Sequence, residues 1–243
     1  MQQFLLALQF LSVIPVKVKK YSEKKAAESM VYFPFVGLFL GVFVADLRWL
    51  LHFWGLPFIS INLLSVIMLI ILTAGIHLDG VADTFDAIGS GKSKEEKLSI
   101  MRDPHIGAIG VLAIVSILFL KIAALLALPL KEGSFAIILS CVTSRFAMAG
   151  LISFFPYARQ SGKAEAFIKN STNNIFILAL IMAVVCVSLV DLQKGLGLLA
   201  ISTLVAFLLG NYFKRSLGGV TGDICGAVNE ISETLCLLLW GVL

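Results

Sequence analysis

The chain has 243 residues, of which 59% are hydrophobic and 14% are charged, and its mean hydropathy is +0.98. These values exclude a soluble globular domain, in which about a quarter of the residues are charged. They also exclude disorder, because disordered segments have too little apolar surface to fold. We predict an all-α, polytopic transmembrane helical bundle in which residues 1–243 form a single integral membrane domain.

The predicted elements begin with residues 1–14, which are apolar but too short to span a bilayer and which Pro15 ends. This pattern predicts an N-terminal interfacial helix. Apolar runs between helix breakers then predict six spans and a shorter, weaker seventh, because a spanning helix needs about 17–25 residues. The runs are 30–52, 59–76, 109–128, 135–155, 175–190, 196–213 and 235–243.

The loops between these runs differ sharply in charge. The loops at one end, which we call the basic end, carry most of the Lys and Arg residues, whereas the opposite loops hold only Lys131 and Lys194. The positive-inside rule therefore predicts that the basic end and the N-terminus face the cytoplasm. The residues of the basic end are Lys17, Lys19, Lys20, Lys24, Lys25, Lys92, Lys94, Lys97, Arg102, Arg159, Lys163, Lys169, Lys214 and Arg215.

Three aspartates follow the second predicted span in the sequence GIHLDGVADTFD, residues 75–86. Asp79, Asp83 and Asp86 stand at positions i, i+4 and i+7, within about 60° of one another on a helix. Grouped carboxylates beside hydrocarbon are costly unless a cation neutralises them, and such hard oxygen ligands suit Mg²⁺. We prefer this metal site to the alternative of a solvated acidic helix start.

The same loop continues with Arg102, Asp103 and His105 in the sequence MRDPHIG. Arg102 is suited to bidentate contacts with a phosphate, and His105 could donate a proton to a leaving group, although an ordinary loop histidine is an equal alternative. Asp103 is a candidate metal ligand or orienting base.

A third group of candidates follows the sixth span. Arg215, Gly219 and Thr221 lie in a glycine-rich segment that could bind a phosphate at the start of a helix, although such glycines also serve close helix packing. Asp223 and Glu230 are seven residues apart, so they share a helix face and are candidate metal ligands.

Four basic residues fall within the spans or at their ends. Arg145 is in the middle of a span, which makes it a candidate substrate-binding residue with a carboxylate partner that the sequence does not identify. Arg159, at the end of the same span, could bind substrate or only anchor the helix. Arg48 and Lys121 are expected to extend their charged groups towards the membrane surface.

Together these motifs resemble the cobalamin synthase family of adenosylcobinamide-GDP ribazoletransferases. The matching motifs, in the family's order, are FLSVIP (10–15), YFPFVG (32–37), HLDGVAD (77–83), IMRDPHIG (100–107), PYAR (156–159) and GGVTGD (218–223), with Gly226, Ala227, Glu230 and Glu233. The sequence departs from the family's pattern at Val13 and at Pro104–His105.

The resemblance implies an Mg²⁺-dependent phosphotransferase of the cytoplasmic (inner) membrane. It would join adenosylcobinamide-GDP to α-ribazole, or to α-ribazole 5′-phosphate, and release GMP, with Asp83, Asp86 and Asp103 as catalytic candidates. Its expected partners are these substrates, membrane lipid and other cobalamin-pathway enzymes, but no nucleic acid. Two alternatives remain. One is a CDP-alcohol-type phosphotransferase, but that family places Arg after the Ala that corresponds to Ala82, where this sequence has Asp83. The other is a cation-coupled transporter, whose acidic residues would lie near the bilayer midplane.

Overall fold

The computed structural model describes residues 2–18, 21–162 and 164–243, so that Lys19, Lys20 and Lys163 of the basic end lie outside the described residues. The described residues form twelve α-helices and a short 3₁₀ helix, Met30–Tyr32. The α-helices are α1 (Gln2–Leu11), α2 (Glu23–Ser29), α3 (Phe33–Phe53), α4 (Phe58–Thr73), α5 (Ile76–Gly89), α6 (Lys94–Ile100), α7 (Ala108–Leu126), α8 (Leu130–Phe154), α9 (Glu165–Lys169), α10 (Asn173–Ser188), α11 (Leu192–Leu217) and α12 (Gly222–Leu239). The predicted all-α class is confirmed.

Four of the described helices are long and apolar enough to cross a membrane: α7, α8, α11 and the 31-residue stretch that ends with α3. The bent pair α4 and α5 would add a fifth span, and α10 is a shorter apolar helix. The polytopic membrane fold is therefore confirmed, with fewer full-length spans than the six or seven runs suggested. The first five residues of the run 235–243 form the end of α12, which is buried along most of its length, and the last four follow the helix.

The run 59–76 ends early because the backbone turns at Ala74 and Gly75. Both residues have positive φ angles, 52° and 65°, a left-handed conformation that ends a helix. The chain bends by 89° between α4 and α5. Helix α5 therefore carries its aspartates away from the direction of the preceding span.

Helix α8 is the centre of the bundle, and 89% of its most apolar window is buried inside the protein. It packs closely against α3, where a Cβ atom added to Gly37 would lie only 2.3 Å from the carbonyl oxygen of Cys141. Small residues of this kind let membrane helices approach each other closely. The outer helices instead expose large apolar side chains, such as Phe43, Phe119 and Phe207, as expected for surfaces that face lipid.

A cluster of four charged side chains lies inside the bundle, and we call it the buried ion cluster: Lys121, Arg145, Glu230 and Glu233. Lys121 Nζ lies 2.7 Å from Glu230 and 2.6 Å from Glu233, and Arg145 forms an ion pair with Glu233. The two positive and two negative charges balance, which removes most of the cost of burying them. The expectation that Lys121 reaches the membrane surface is wrong, because its ammonium group has two carboxylate partners in the interior.

Arg48 is also buried rather than directed to the membrane surface. Its guanidinium donates to Asn62 at 2.8 Å, Ser65 at 3.2 Å and Ser134 at 3.3 Å. Side chains on α4 and α8 thus accept hydrogen bonds from Nε and Nη1 of Arg48, whereas its Nη2 has no partner among the described residues, and these bonds connect α3 to both neighbours.

Candidate functional site

A cavity of about 790 Å³ lies between α8 and five other segments of the chain. The segments are the end of α1 with the residues after it, the α4–α5 bend, the loop at Arg102, the segment between α8 and α9, and the beginning of α12. Charged lining residues are few and of both signs: Asp79, Arg102, Arg159 and Asp223. Apolar residues such as Phe10, Ile76 and Met148 line other parts of the wall, so the cavity is suited to a ligand with a charged and an apolar part.

The acidic side of the cavity is built by α5 and the first turn of α12. A Cβ atom at Gly80 would lie 2.4 Å from the backbone oxygen of Asp223, so only glycine allows the two helices to approach this closely. Asp79 is next to this contact, and the half-buried Asp83 is one turn further along α5. The structure therefore places Asp79, Asp83 and Asp223 in one region, as the sequence predicted.

Arg159 stands opposite these carboxylates and is already engaged. Its Nη2 donates to Asp223 at 2.6 Å and to the backbone oxygen of Met101 at 3.2 Å. An isolated parallel bridge between Tyr157 and Val220 fixes the two segments to each other. Arg159 thus belongs to the cavity wall, and its ion pair with Asp223 is the closest contact between opposite charges there.

Asp86 has a different environment from the one we expected. Its two carboxylate oxygens accept the backbone N–H groups of Gly107, at 2.7 Å, and Gly110, at 2.8 Å. These donors belong to the first turn of α7, where backbone N–H groups lack helical partners. Asp86 therefore caps α7 from a neighbouring helix, and it is not free to act as a general base in this arrangement.

Several other predicted site residues are not brought to the cavity. Arg145 and Glu230 are used within the buried ion cluster, because each has an oppositely charged partner there. Arg215 is exposed in the last turn of α11. Gly219 does not form a phosphate cradle; a Cβ atom there would lie 2.2 Å from the carbonyl oxygen of Pro156, so it serves close packing.

Asp103, His105 and Thr221 make local contacts instead. The backbone N–H of His105 donates to Asp103 at 3.0 Å and the ring Nδ1 lies 2.6 Å from the same oxygen. These contacts hold the pKa of Asp103 below its usual value. The hydroxyl of Thr221 accepts the N–H of Ile224 at 3.2 Å and so caps α12.

Three contributions to the cavity were missed in the sequence. The end of α1 and the following residues, including Ser12 and Val13, line it, because the N–H of Val13 donates to the carbonyl of Leu72 at the end of α4. His77 lines it and lies 3.1 Å from the amide of Asn229. Burial raises the pKa of Tyr157, so its phenol remains a hydrogen-bond donor at neutral pH.

The donor set fits Mg²⁺ only in part. Among the described residues, no group of three or more His, Cys, Asp or Glu side chains is arranged to hold a metal ion. Asp79 and Asp83, however, make no side-chain hydrogen bond or ion pair with any described residue, whereas Asp223 is held by Arg159. Two free carboxylates can bind Mg²⁺ when water and substrate phosphate supply the remaining ligands.

The fold and the site define a helical membrane protein with a cavity suited to a phosphorylated ligand. The chain belongs to the cobalamin-5-phosphate synthase family, whose model matches residues 3–241. This confirms the resemblance inferred from the motifs, and it identifies the chain as a transferase of cobalamin biosynthesis.

Relatives from several bacteria carry the name adenosylcobinamide-GDP ribazoletransferase. The Desulforamulus reducens protein is 38% identical over 235 residues, which cover 96% of this chain and 94% of the relative. The Pseudomonas fluorescens protein is 36% identical over 242 residues, or 98% of both chains. The Clostridioides difficile protein is 31% identical over 248 residues, or 98% of this chain and 96% of the relative. No solved structure matches the chain.

Proposed function

We propose that this chain joins adenosylcobinamide-GDP to α-ribazole, or to α-ribazole 5′-phosphate, and releases GMP. A ribose hydroxyl other than the 5′-hydroxyl, which is already esterified in α-ribazole 5′-phosphate, would attack the phosphorus that remains on the cobinamide. The bond to the GMP phosphate would break, and GMP would leave. The observation that carries the proposal is one cavity lined by two arginines and two carboxylates, in a chain whose relatives bear the name of this activity. Charge of both signs is what phosphoryl transfer between two oxygens requires.

Four residues that line the cavity, and Asp83 and Asp86 on the neighbouring part of α5, have proposed tasks in this reaction. Arg102 and Arg159 bind phosphate oxygens, because guanidinium groups form bidentate contacts with them. Tyr157 donates a hydrogen bond to a substrate oxygen. Asp79 or Asp83 accepts the proton of the attacking hydroxyl, since neither carboxylate has a partner among the described residues. Asp86 attaches the start of α7, and with it the end of the loop that carries Arg102, to α5.

The cofactor that suits this site is Mg²⁺. Asp79 and Asp83 would hold it, with water and substrate oxygens completing the six-fold shell that this cation prefers. Bound there, Mg²⁺ would neutralise negative charge on the phosphate oxygens. The unpaired state of both carboxylates supports this assignment, because two neighbouring carboxylates with no cation repel each other.

We place the protein in the cytoplasmic membrane with the cavity facing the cytoplasm. The cavity lies among residues of the basic end, including Arg102 and Arg159, and basic loops are retained in the cytoplasm. Impermeant thiol labelling tests this orientation. A cysteine introduced at exposed His105 should react only after cells are opened, whereas labelling of intact cells would contradict the orientation.

Purified protein in lipid nanodiscs should convert adenosylcobinamide-GDP, α-ribazole and Mg²⁺ into adenosylcobalamin and GMP, as followed by mass spectrometry. The chain's four cysteines are buried and reduced, so reductant should not change the rate. No product with either ribazole substrate would overturn the proposal. Proteoliposomes that moved cations without forming GMP would favour a cation-coupled transporter. Turnover of a CDP-alcohol would favour a CDP-alcohol-type phosphotransferase.

A further inference from the structure

Asp223 is held by a partner that a phosphate could replace. Its Oδ2 accepts a hydrogen bond from Arg159 at 2.6 Å and from the Thr221 hydroxyl at 3.3 Å. Both members of the ion pair line the cavity. The third carboxylate of this region is therefore neutralised by the protein's own guanidinium, whereas Asp79 and Asp83 have no such partner among the described residues.

Arg159 retains donor capacity that the described residues do not use. Its side chain is nine-tenths buried, with 10% exposed, yet its Nε has no hydrogen-bond partner in the part of the chain that the structure describes. A buried donor without an acceptor is costly, so this nitrogen points to a ligand that supplies one. A phosphate offers several acceptor oxygens and binds a guanidinium through two of them.

The carboxylates beside Arg159 lie on two helices that are in contact. The backbone of Asp223 is in contact with Gly80, next to Asp79. Asp83 is one helical turn after Asp79 on α5, so the two side chains share a helix face. The ion pair between Arg159 and Asp223 thus distinguishes Asp223 from Asp79 and Asp83, which have no partner among the described residues.

We propose that Asp223 changes partners when substrate binds. The substrate phosphate takes Arg159, and the released carboxylate joins Asp79 and Asp83 in holding Mg²⁺. This inference rests on the proposed function, and it adds that the cation site is completed only when a phosphate is present. By linkage, phosphate and cation then raise each other's affinity by the same factor.

Direct contact between a bound phosphate and a bound cation would also raise the affinity of each for the protein, even if Asp223 did not change partners. Variants that release one member of the ion pair separate the two explanations. Arg159→Gln frees Asp223, so Mn²⁺ alone should bind about tenfold more tightly than to the wild type, within the usual range of coupling between sites. Arg102→Gln is the matched control, because it removes the same charge from the same cavity but leaves the ion pair intact.

The reverse experiment frees the arginine. Asp223→Asn should increase the affinity for GMP in the presence of EDTA, also by about tenfold. Asp79→Asn is its control, because it removes an equal charge from the cavity without releasing Arg159. If either control matched its test variant, the effect would be one of net charge and the partner exchange would be refuted.

These affinities are measured on the full chain in nanodiscs of zwitterionic lipid. Free Mn²⁺ is followed by electron paramagnetic resonance and GMP by equilibrium dialysis, with thermal unfolding to confirm the fold of each variant. Arg159→Met, which also releases Asp223, replaces Arg159→Gln if that variant is unfolded, and it should likewise bind Mn²⁺ more tightly. Wild-type protein that bound neither GMP nor Mn²⁺ would overturn the proposed function itself. If the wild type bound GMP and Mn²⁺ but the Arg159 and Asp223 variants had the same affinities as the wild type, only the partner exchange of Asp223 would be refuted.

Discussion

Glu233 is the residue of the buried ion cluster whose removal should cost the most stability. It contacts both cations of the cluster, Lys121 at 2.6 Å and Arg145, and its side chain is 1% exposed. Glu230, by contrast, contacts only Lys121 among the two cations, at 2.7 Å. Glu233→Gln leaves an excess positive charge inside the bundle, and breaking a buried ion pair costs about 3–5 kcal/mol.

For a chain of this length, about 1 kcal/mol changes Tm by about 2–4 °C. Glu233→Gln should therefore lower Tm by about 6–20 °C. Lys121→Met and Glu230→Gln should each lower it as single changes. The double variant Lys121→Met/Glu230→Gln keeps the cluster neutral through Arg145 and Glu233, so its loss should be smaller than that of either single variant, because balanced replacement of buried charges is often close to neutral.

Thermal unfolding of all four variants in the same nanodiscs provides the test. Glu165→Gln is the control, because it breaks the Lys169–Glu165 pair, whose side chains are 62% and 26% exposed. Exposed pairs contribute little, so its Tm should stay at the wild-type value. Additive losses in the double variant would show that the four charges do not form a balanced unit, and the interpretation of the cluster would be wrong.

Two further predictions concern single positions. Gly80→Ala places a Cβ atom 2.4 Å from the backbone oxygen of Asp223, so it should lower the rate of GMP formation at least tenfold while the protein still inserts. The control Gly241→Ala places its Cβ atom more than 4 Å from any atom beyond its two adjacent residues, so it should keep the wild-type rate. Equal rates in the two variants would contradict the tight contact between α5 and α12. Hydrogen bonds from His105 lower the pKa of Asp103. Asp103 should therefore stay charged until the pH falls below the ordinary aspartate pKa of about 3.9, and the loop should lose the stabilisation from these bonds only below that pH. A ¹³C-carboxyl NMR titration should show this pKa rising in His105→Ala, and an unchanged value would refute the contact.

The general fold could be predicted because the hydrophobic pattern reports directly on the membrane. Apolar runs between helix breakers gave the positions of α3, α7, α8 and α11 within about five residues at each end. The bend at Ala74 and the inclusion of run 235–243 in α12 were not predicted. Both depend on tertiary contacts, since alanine seldom has a positive φ and an apolar run can be buried by protein as well as by lipid.

The candidate site was predictable in composition and less so in arrangement. The i, i+4 spacing correctly brought Asp79 and Asp83 to one region, because a helix period fixes which side chains share a face. The same argument could not show that Asp86 caps α7, since its donors are 21 and 24 residues away. Nor could it pair Arg145 with Glu233, which lies 88 residues later in the chain.

The most direct test of the account is the activity of Asp83→Asn over a range of Mg²⁺ concentrations. Asn keeps the size of the side chain but removes a ligand charge, so GMP formation should fall by orders of magnitude at saturating Mg²⁺ while the protein inserts normally and keeps its Tm. Asp46→Asn, an exposed residue of α3 outside the cavity, should retain wild-type turnover in the same nanodiscs. Near-normal turnover of Asp83→Asn would contradict the assignment of the cation site to α5.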